Sequence, residues 1–189
     1  SMGNAEKIDI EIFKAVTRAI AQSDDLEIMT GHLTQLLVGT LEIKGCSIFA
    51  LEPASGELEL LSSFGLSIGY LNKGPVFSDK SIGDIKKGKP VIIRNLEKTD
   101  LLQYPQEARK EGIGAIVSLP IKFYGKNIGA LRLYHHEQWE ISETDIDSLL
   151  VLAENIGLAM TYTRLLNALK EVKDTVNDVH SIWFNAIGG

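Results

Sequence analysis

The sequence predicts an α+β domain: a central antiparallel sheet of about five to six strands flanked by helices, followed by a long C-terminal helix. Three observations carry that prediction. "CSIFALE" and "ELELLSSF" flank "PASG", and "AIVSLPIKF" and "IGALRLYHH" flank "YGKN", so strand-forming runs meet at Pro, Gly, Ser and Asn turn signals twice. Before the first pair, apolar residues recur at helical spacing. After the second, no strong helix breaker occurs between Ser142 and Gly188.

At 189 residues the chain suits one domain with its own core and is short for two. A net charge of −6 and a pI near 5.3 offer no basic surface for nucleic acid or an anionic membrane, because such binding replaces counterions with clustered Lys and Arg. A small molecule or another protein is the expected partner. One cysteine, Cys46, excludes an internal disulfide and a Cys-x-x-Cys pair. With no signal sequence or bilayer-spanning run visible, the cytoplasm is the expected compartment. Ser1, Met2 and Gly3 read as a remnant ahead of the natural start, and the sequence leaves open whether the chain is a piece of something longer.

The elements follow in order. Ile8, Ile12, Val16, Ala19 and Ile20 mark a first helix over about Ala5 to Ala21. Ser23, Asp24 and Asp25 cap a second, whose buried face is Leu26, Met29, Leu33, Leu36 and Leu37. The first hairpin occupies residues 46 to 64, and then "GLSIGYLNKGPVFSDK" has no sustained period, so it reads as a long connection that covers something. "SIGDIKKGKPVII" predicts a short helix, a left-handed Gly88 and a strand at 91 to 93. "TDLLQYPQEARKEG" predicts a second helical excursion, capped by Asp100 and stopped by Gly112. Pro120 marks a bulge or an edge within the second hairpin. "SETD" at 142 to 145 is a capping signature that opens the last helix.

That helix carries the clearest pattern. Leu158, Tyr162, Leu165, Leu169, Val172, Val176, Val179 and Trp183 alternate spacings of four and three, a heptad seam. The seam predicts a parallel two-stranded coil between protomers, a homodimer, with packing back on the first helix as the alternative.

Several motifs suggest chemistry without completing it. Gly83, Gly88 and Lys89 have phosphate-loop spacing, but Pro90 replaces the metal-binding hydroxyl and a strand replaces the helix. Cys46 opens an apolar strand, where a thiol is a core residue more often than a nucleophile or cofactor attachment point. His135 and His136 are strand neighbours that point to opposite faces and cannot readily share a metal. His32 reads as a solvated helix residue. His180 sits on the dimeric helix, but without the nearby arginine of a phosphoacceptor site. No Ser/His/Asp set or paired carboxylates emerge, so no catalysis is expected. Phe64, Tyr70, Phe77, Tyr104, Ser118 and Arg132 either line a ligand pocket beneath the excursions or fill a core, and the sequence leaves both open.

The order of helix, helix, hairpin, two excursions, hairpin and long helix resembles the GAF domain, a sensory module related in architecture to PAS domains. "SIGDIKKGKPVIIRN", "IVSLPIKFYGKNIGALRLYHH" and "ISETDIDSLLVLAENIGLAM" resemble three of its segments, and the likeness covers nearly residues 8 to 165. It implies a sensory domain over residues 5 to 165 and a coiled-coil signalling helix over 166 to 187. It further implies an unidentified small-molecule ligand and an output domain such as a histidine kinase, cyclase or transcription regulator. Departures narrow the ligand. Asn72, Lys73 and Phe77 match part of the cyclic-nucleotide signature, but its Asp-Glu pair is missing. The lone Cys46 lies outside the region where bilins attach and is too few for methionine sulfoxide reduction, and no histidine lies in the excursions to ligate haem. No cofactor can be named.

Overall fold

The structure, a computed structural model, describes residues 8–77 and 88–188. Among these, α1 (Ile10–Ala21) and α2 (Leu26–Leu41) precede the hairpin of β1 (Gly45–Leu51) and β2 (Glu57–Phe64). Next come α3 (Ile68–Leu71), β3 (Val76–Phe77), β4 (Val91–Ile93), a 3₁₀ turn (Leu96–Lys98) and α4 (Pro105–Glu111). The second hairpin, β5 (Ala115–Phe123) and β6 (Lys126–His135), leads into α5 (Glu143–Gly188). The six strands lie in the order β3-β2-β1-β6-β5-β4, and every neighbouring pair is antiparallel.

Strand alternation divides the sheet into two faces. Cys46, Ile48, Val117, Leu119, Leu131 and Leu133 point to one side, where they pack with Met29, Leu33 and Leu37 of α2 and Leu149, Leu152 and Ile156 of α5. Gly157 fits this layer by lacking a side chain: a Cβ there would lie 2.5 Å from the Lys122 carbonyl of β5. Phe49, Ile116, Ala130 and Tyr134 point to the other side, under the excursions.

Local chemistry explains most boundaries. Asp25 caps α2, its carboxylate accepting the Ile28 amide at 2.9 Å, and Ser142 Oγ accepts the Asp145 amide at 3.1 Å as α5 begins. The first helix starts later than its apolar spacing predicts. Asp9 caps it by accepting the Glu11 and Ile12 amides, while the Ile8 amide donates instead to buried Asp145 at 3.3 Å, tying the entering segment to α5. α4 likewise begins after Tyr104 with Pro105 in its first turn, not at Asp100, and it ends at left-handed Gly112 as expected. Pro120 fits the edge expectation: among the described residues β4 pairs only with Ile116 to Ser118, so no strand pairs with Pro120 on that side, and the register shift lies just beyond it, between Ile121 and Lys122. The helix predicted before Gly88 falls outside the described residues.

α5 has two stretches with different surroundings. Up to Thr163 it buries one face on the sheet, whereas beyond Leu166 every residue is exposed. The seam residues from Leu158 to Trp183 are 57–67% exposed, so α1 does not cover them, although Lys170 reaches Asp24 at 3.3 Å. By length and composition α5 does include a stretch apolar enough to cross a membrane, which inspection for an unbroken run overlooks. Of that stretch 44% is buried inside the fold.

Candidate ligand pocket

The outer face of the sheet carries a polar stripe. Register places Arg132 of β6 between Ser47 of β1 and Ser118 of β5, and Arg132 Nε donates to Ser118 Oγ at 3.2 Å. Both residues are buried. The guanidinium also lies 5.1 Å from the Phe49 ring centre, a cation–π position. Two residues along β6, and therefore on the same face, Tyr134 meets Tyr70 edge to face at 6.1 Å.

The connection after β2 closes over this stripe. Ser67 Oγ caps α3 by accepting the Tyr70 amide, and Glu111 of α4 takes both the Ser67 amide at 2.8 Å and its hydroxyl at 2.6 Å. Burial alone would raise the Glu111 carboxyl, but those two bonds and the charges of Lys44 and Lys73 outweigh it and hold it below the usual range. Tyr104 Oη and Gln103 Nε2 both donate to the Pro75 carbonyl, at 2.7 and 2.9 Å. Gly74 adopts φ +140, and a Cβ there would collide with the Tyr104 hydroxyl, so only glycine lets the two excursions meet this closely.

Beneath these contacts lies a partly open cavity lined by Tyr70, Lys73, Val76, Leu102, Gln103, Tyr104, Ile116, Arg132 and Tyr134. Its volume of about 20 Å³ has room for about one water molecule. Lys73 Nζ sits 3.9 Å from the Tyr70 ring centre and donates to the Tyr70 carbonyl at 3.2 Å. Burial, reinforced by the like charge of Arg132 and opposed by Glu107 and Glu111, pulls the Lys73 ammonium down to about 8. Burial pushes the Tyr70 phenol well above its usual range, and Tyr134 is also raised chiefly by burial. Both phenols therefore stay protonated as hydrogen-bond donors at neutral pH. The site presents two cations and phenolic hydroxyls to a small volume, an arrangement complementary to an anion.

The six residues singled out in the sequence are distributed unevenly. Tyr70, Tyr104 and Arg132 line the cavity, and Ser118 lies beneath, holding Arg132. Phe64 sits half-exposed at the end of β2, paired with Cys46 and outside the lining. Phe77 is on β3 opposite Glu57, and its side chain falls outside the described residues. Lys73, Gln103 and Tyr134 were missed as site residues. Tyr134 had a readable signal, since i, i+2 from Arg132 on a strand means the same face; Lys73 had one only through the partial cyclic-nucleotide match with Asn72 and Phe77, and Gln103 had none beyond its place in an irregular connection.

The other candidates lie apart from the cavity. Cys46 is fully buried among the helix-side residues, and burial pushes its thiol far up, so it carries negligible thiolate at neutral pH. His135 stacks with Trp139 at 5.4 Å, and its Nδ1 accepts the Glu137 amide. Among the described residues no three His, Cys, Asp or Glu side chains cluster to hold a metal. His32 and His180 are exposed.

The family model for the GAF domain matches residues 23–161. The chain belongs to the GAF domain family. Among solved structures it is similar to the GAF domain of a phosphoenolpyruvate-protein phosphotransferase from Coxiella burnetii, at 19% identity, TM-score 0.74, over 84% of this chain and 96% of that one. It is also similar to free methionine-R-sulfoxide reductase from Neisseria meningitidis, solved with its substrate, at 15% identity, TM-score 0.74, over 88% and 96%. A third similarity is to a domain of a putative two-component sensor histidine kinase protein from Sinorhizobium meliloti, at 20% identity, TM-score 0.63, over 72% and 91%. No curated relative matches the sequence. At these identities the neighbours establish the GAF fold, and function has to come from the site itself.

Proposed function

We propose that this GAF domain is the small-molecule-sensing part of a cytoplasmic signalling protein, binding a small anion between Lys73 and Arg132. A pair of α5 helices then relays the bound state to an output domain such as a histidine kinase, cyclase or transcription regulator. The sensory unit spans 5–165 and the signalling helix 166–187. The observation that carries this is the cavity itself, in which two cations and two buried phenols converge over strands whose opposite faces support α5. A ligand that draws Arg132 toward it shifts β6 and β5, and Gly157 of α5 rests directly on the β5 backbone. Differential binding to two helix arrangements is all that such a relay requires. The kinase origin of one structural neighbour fits this role. The reductase neighbour does not transfer its chemistry, since the single thiol here is buried and protonated.

One observation favours a second role, a ligand-free dimerisation module: the cavity holds only about one water. Thermal melts of the intact chain with acetate, inorganic phosphate and a neutral amide separate the two. Sensing predicts stabilisation by an anion at millimolar concentration, about 2.7 kcal/mol at one hundred times Kd, and its loss in Arg132→Met. No stabilisation by any anion, together with bare protein mass in native mass spectrometry, would leave the dimerisation module.

A further inference from the structure

Lys73 enters the cavity from the connection between α3 and β3, with its Nζ 3.9 Å from the Tyr70 ring centre and 5.7 Å from that of Tyr104. One of its protons goes to the Tyr70 carbonyl at 3.2 Å. A lysine usually keeps its ammonium in water and buries only its stem. Here the head itself is drawn against two rings. Burial, and then the like charge of Arg132 on β6, favours the free amine, and the Glu107 and Glu111 carboxylates of α4 oppose it. The balance leaves about a tenth of Lys73 as amine at neutral pH, roughly three hundred times the share of an exposed lysine. That amine is a nucleophile facing a cavity.

We propose that the Lys73 amine adds carbon dioxide to form a carbamate in the cavity, so that the small anion beside Arg132 is made on the protein instead of being captured from solution. This rests on the anion-sensing reading of the same cavity. The nitrogen lone pair bonds to the carbon of carbon dioxide, one C=O electron pair moves onto oxygen, and a proton leaves the nitrogen for water. Amine and carbon dioxide thus become carbamate and a proton, with nothing oxidised or reduced. Protonation of the nitrogen and cleavage of the same N–C bond return both. Room for about one water favours the smallest of electrophiles. Val76, Leu102 and Ile116 on the lining admit an uncharged molecule without the desolvation cost that an entering anion meets. The charge of the product decides between carbon dioxide and an aldehyde. A carbamate is an anion complementary to Arg132 and to the protonated Tyr70 and Tyr134 phenols, whereas a protonated imine would keep two cations face to face. The carbamate nitrogen retains one N–H, enough to keep the bond to the Tyr70 carbonyl. Its formation turns repulsion between the α3–β3 connection and β6 into attraction, a change of sign at the point where the excursion meets the sheet.

Isotope labelling of the intact chain tests this. The wild type is held near neutral pH with isotopically labelled bicarbonate, which supplies dissolved carbon dioxide, then treated with triethyloxonium to esterify any carbamate and mapped by peptide mass spectrometry. Lys73 should carry the label at roughly ten times or more the level of the exposed Lys14 and Lys170. Bicarbonate should also raise the thermal midpoint, and Lys73→Arg, which keeps the charge but has no nucleophilic amine, should lose that rise. The label map needs no variant, so it decides even where Lys73→Arg folds poorly. Label spread evenly over the lysines, or a raised midpoint with Lys73 unlabelled, overturns the covalent site. If Lys73 stays unlabelled while inorganic phosphate raises the midpoint, the inference fails and the anion sensor stands. If Lys73 stays unlabelled and bicarbonate, phosphate and acetate all leave the midpoint unchanged, both fail.

Discussion

Four consecutive residues of β6, Leu131, Arg132, Leu133 and Tyr134, face two different environments by turns. Leu131 and Leu133 enter an apolar layer between sheet and helices, where both are fully buried. Arg132 and Tyr134 enter a thinner layer that contains two cations, phenols, a cavity and much of the molecule's irregular backbone. One face is built for stability and the other tolerates polar groups that a core would exclude, provided each is hydrogen-bonded. The difference shows how a two-residue period lets one strand serve as structural element and ligand support together.

Cavity-creating substitutions should separate the faces most sharply. Leu133→Ala, on the helix side, should cost about 3–5 kcal/mol in urea unfolding, whereas Ile116→Ala, beside the existing cavity, should stay near ~2 kcal/mol because its surroundings can relax. Equal costs would mean the two faces are packed alike. Ser118→Ala should cost less, about 1–2 kcal/mol, by removing the oxygen that accepts from Arg132 Nε, and it should weaken anion binding more than it weakens the fold.

A pH dependence should be confined to the pocket face. Folded Lys73 gives up its proton near 8, while the unfolded chain holds it to the ordinary 10.5, so between those values the unfolded state binds more protons and stability rises with pH. Below about 8 the cost of the buried charge is constant. In Lys73→Met the rise should vanish, and a mutant curve parallel to the wild type through that window would show that Lys73 is not held low. The same titration makes anion affinity fall above about 8, opposite in direction to the stability.

Much of the helix-side face was legible before any coordinates. Met29, Leu33 and Leu37 recur at helical spacing, and both hairpins announce their turns, because burial against a regular element leaves a regular pattern. The pocket face was legible in part, through Arg132 and Ser118 on the second hairpin and through the aromatics Tyr70 and Tyr104 of the excursions. Phe64 misled: an aromatic at the end of a strand looks like a pocket wall, and β2 instead leaves it half-exposed. Lys73 and Gln103 reach the site through contacts such as Tyr104 to Pro75, 29 residues apart, which no local spacing encodes.

By itself the sequence determined the order of elements, the family likeness, the caps of α2 and α5, and the heptad seam, all of which depend on residues within a turn or two of each other. Only the tertiary structure decided which face of α5 lies on the sheet, that Ile8 is tied to Asp145, and that Lys73 and Arg132 share one cavity. Those outcomes depend on segments far apart in the chain competing for the same space, and the winner is set by packing and hydrogen bonding rather than by any local preference.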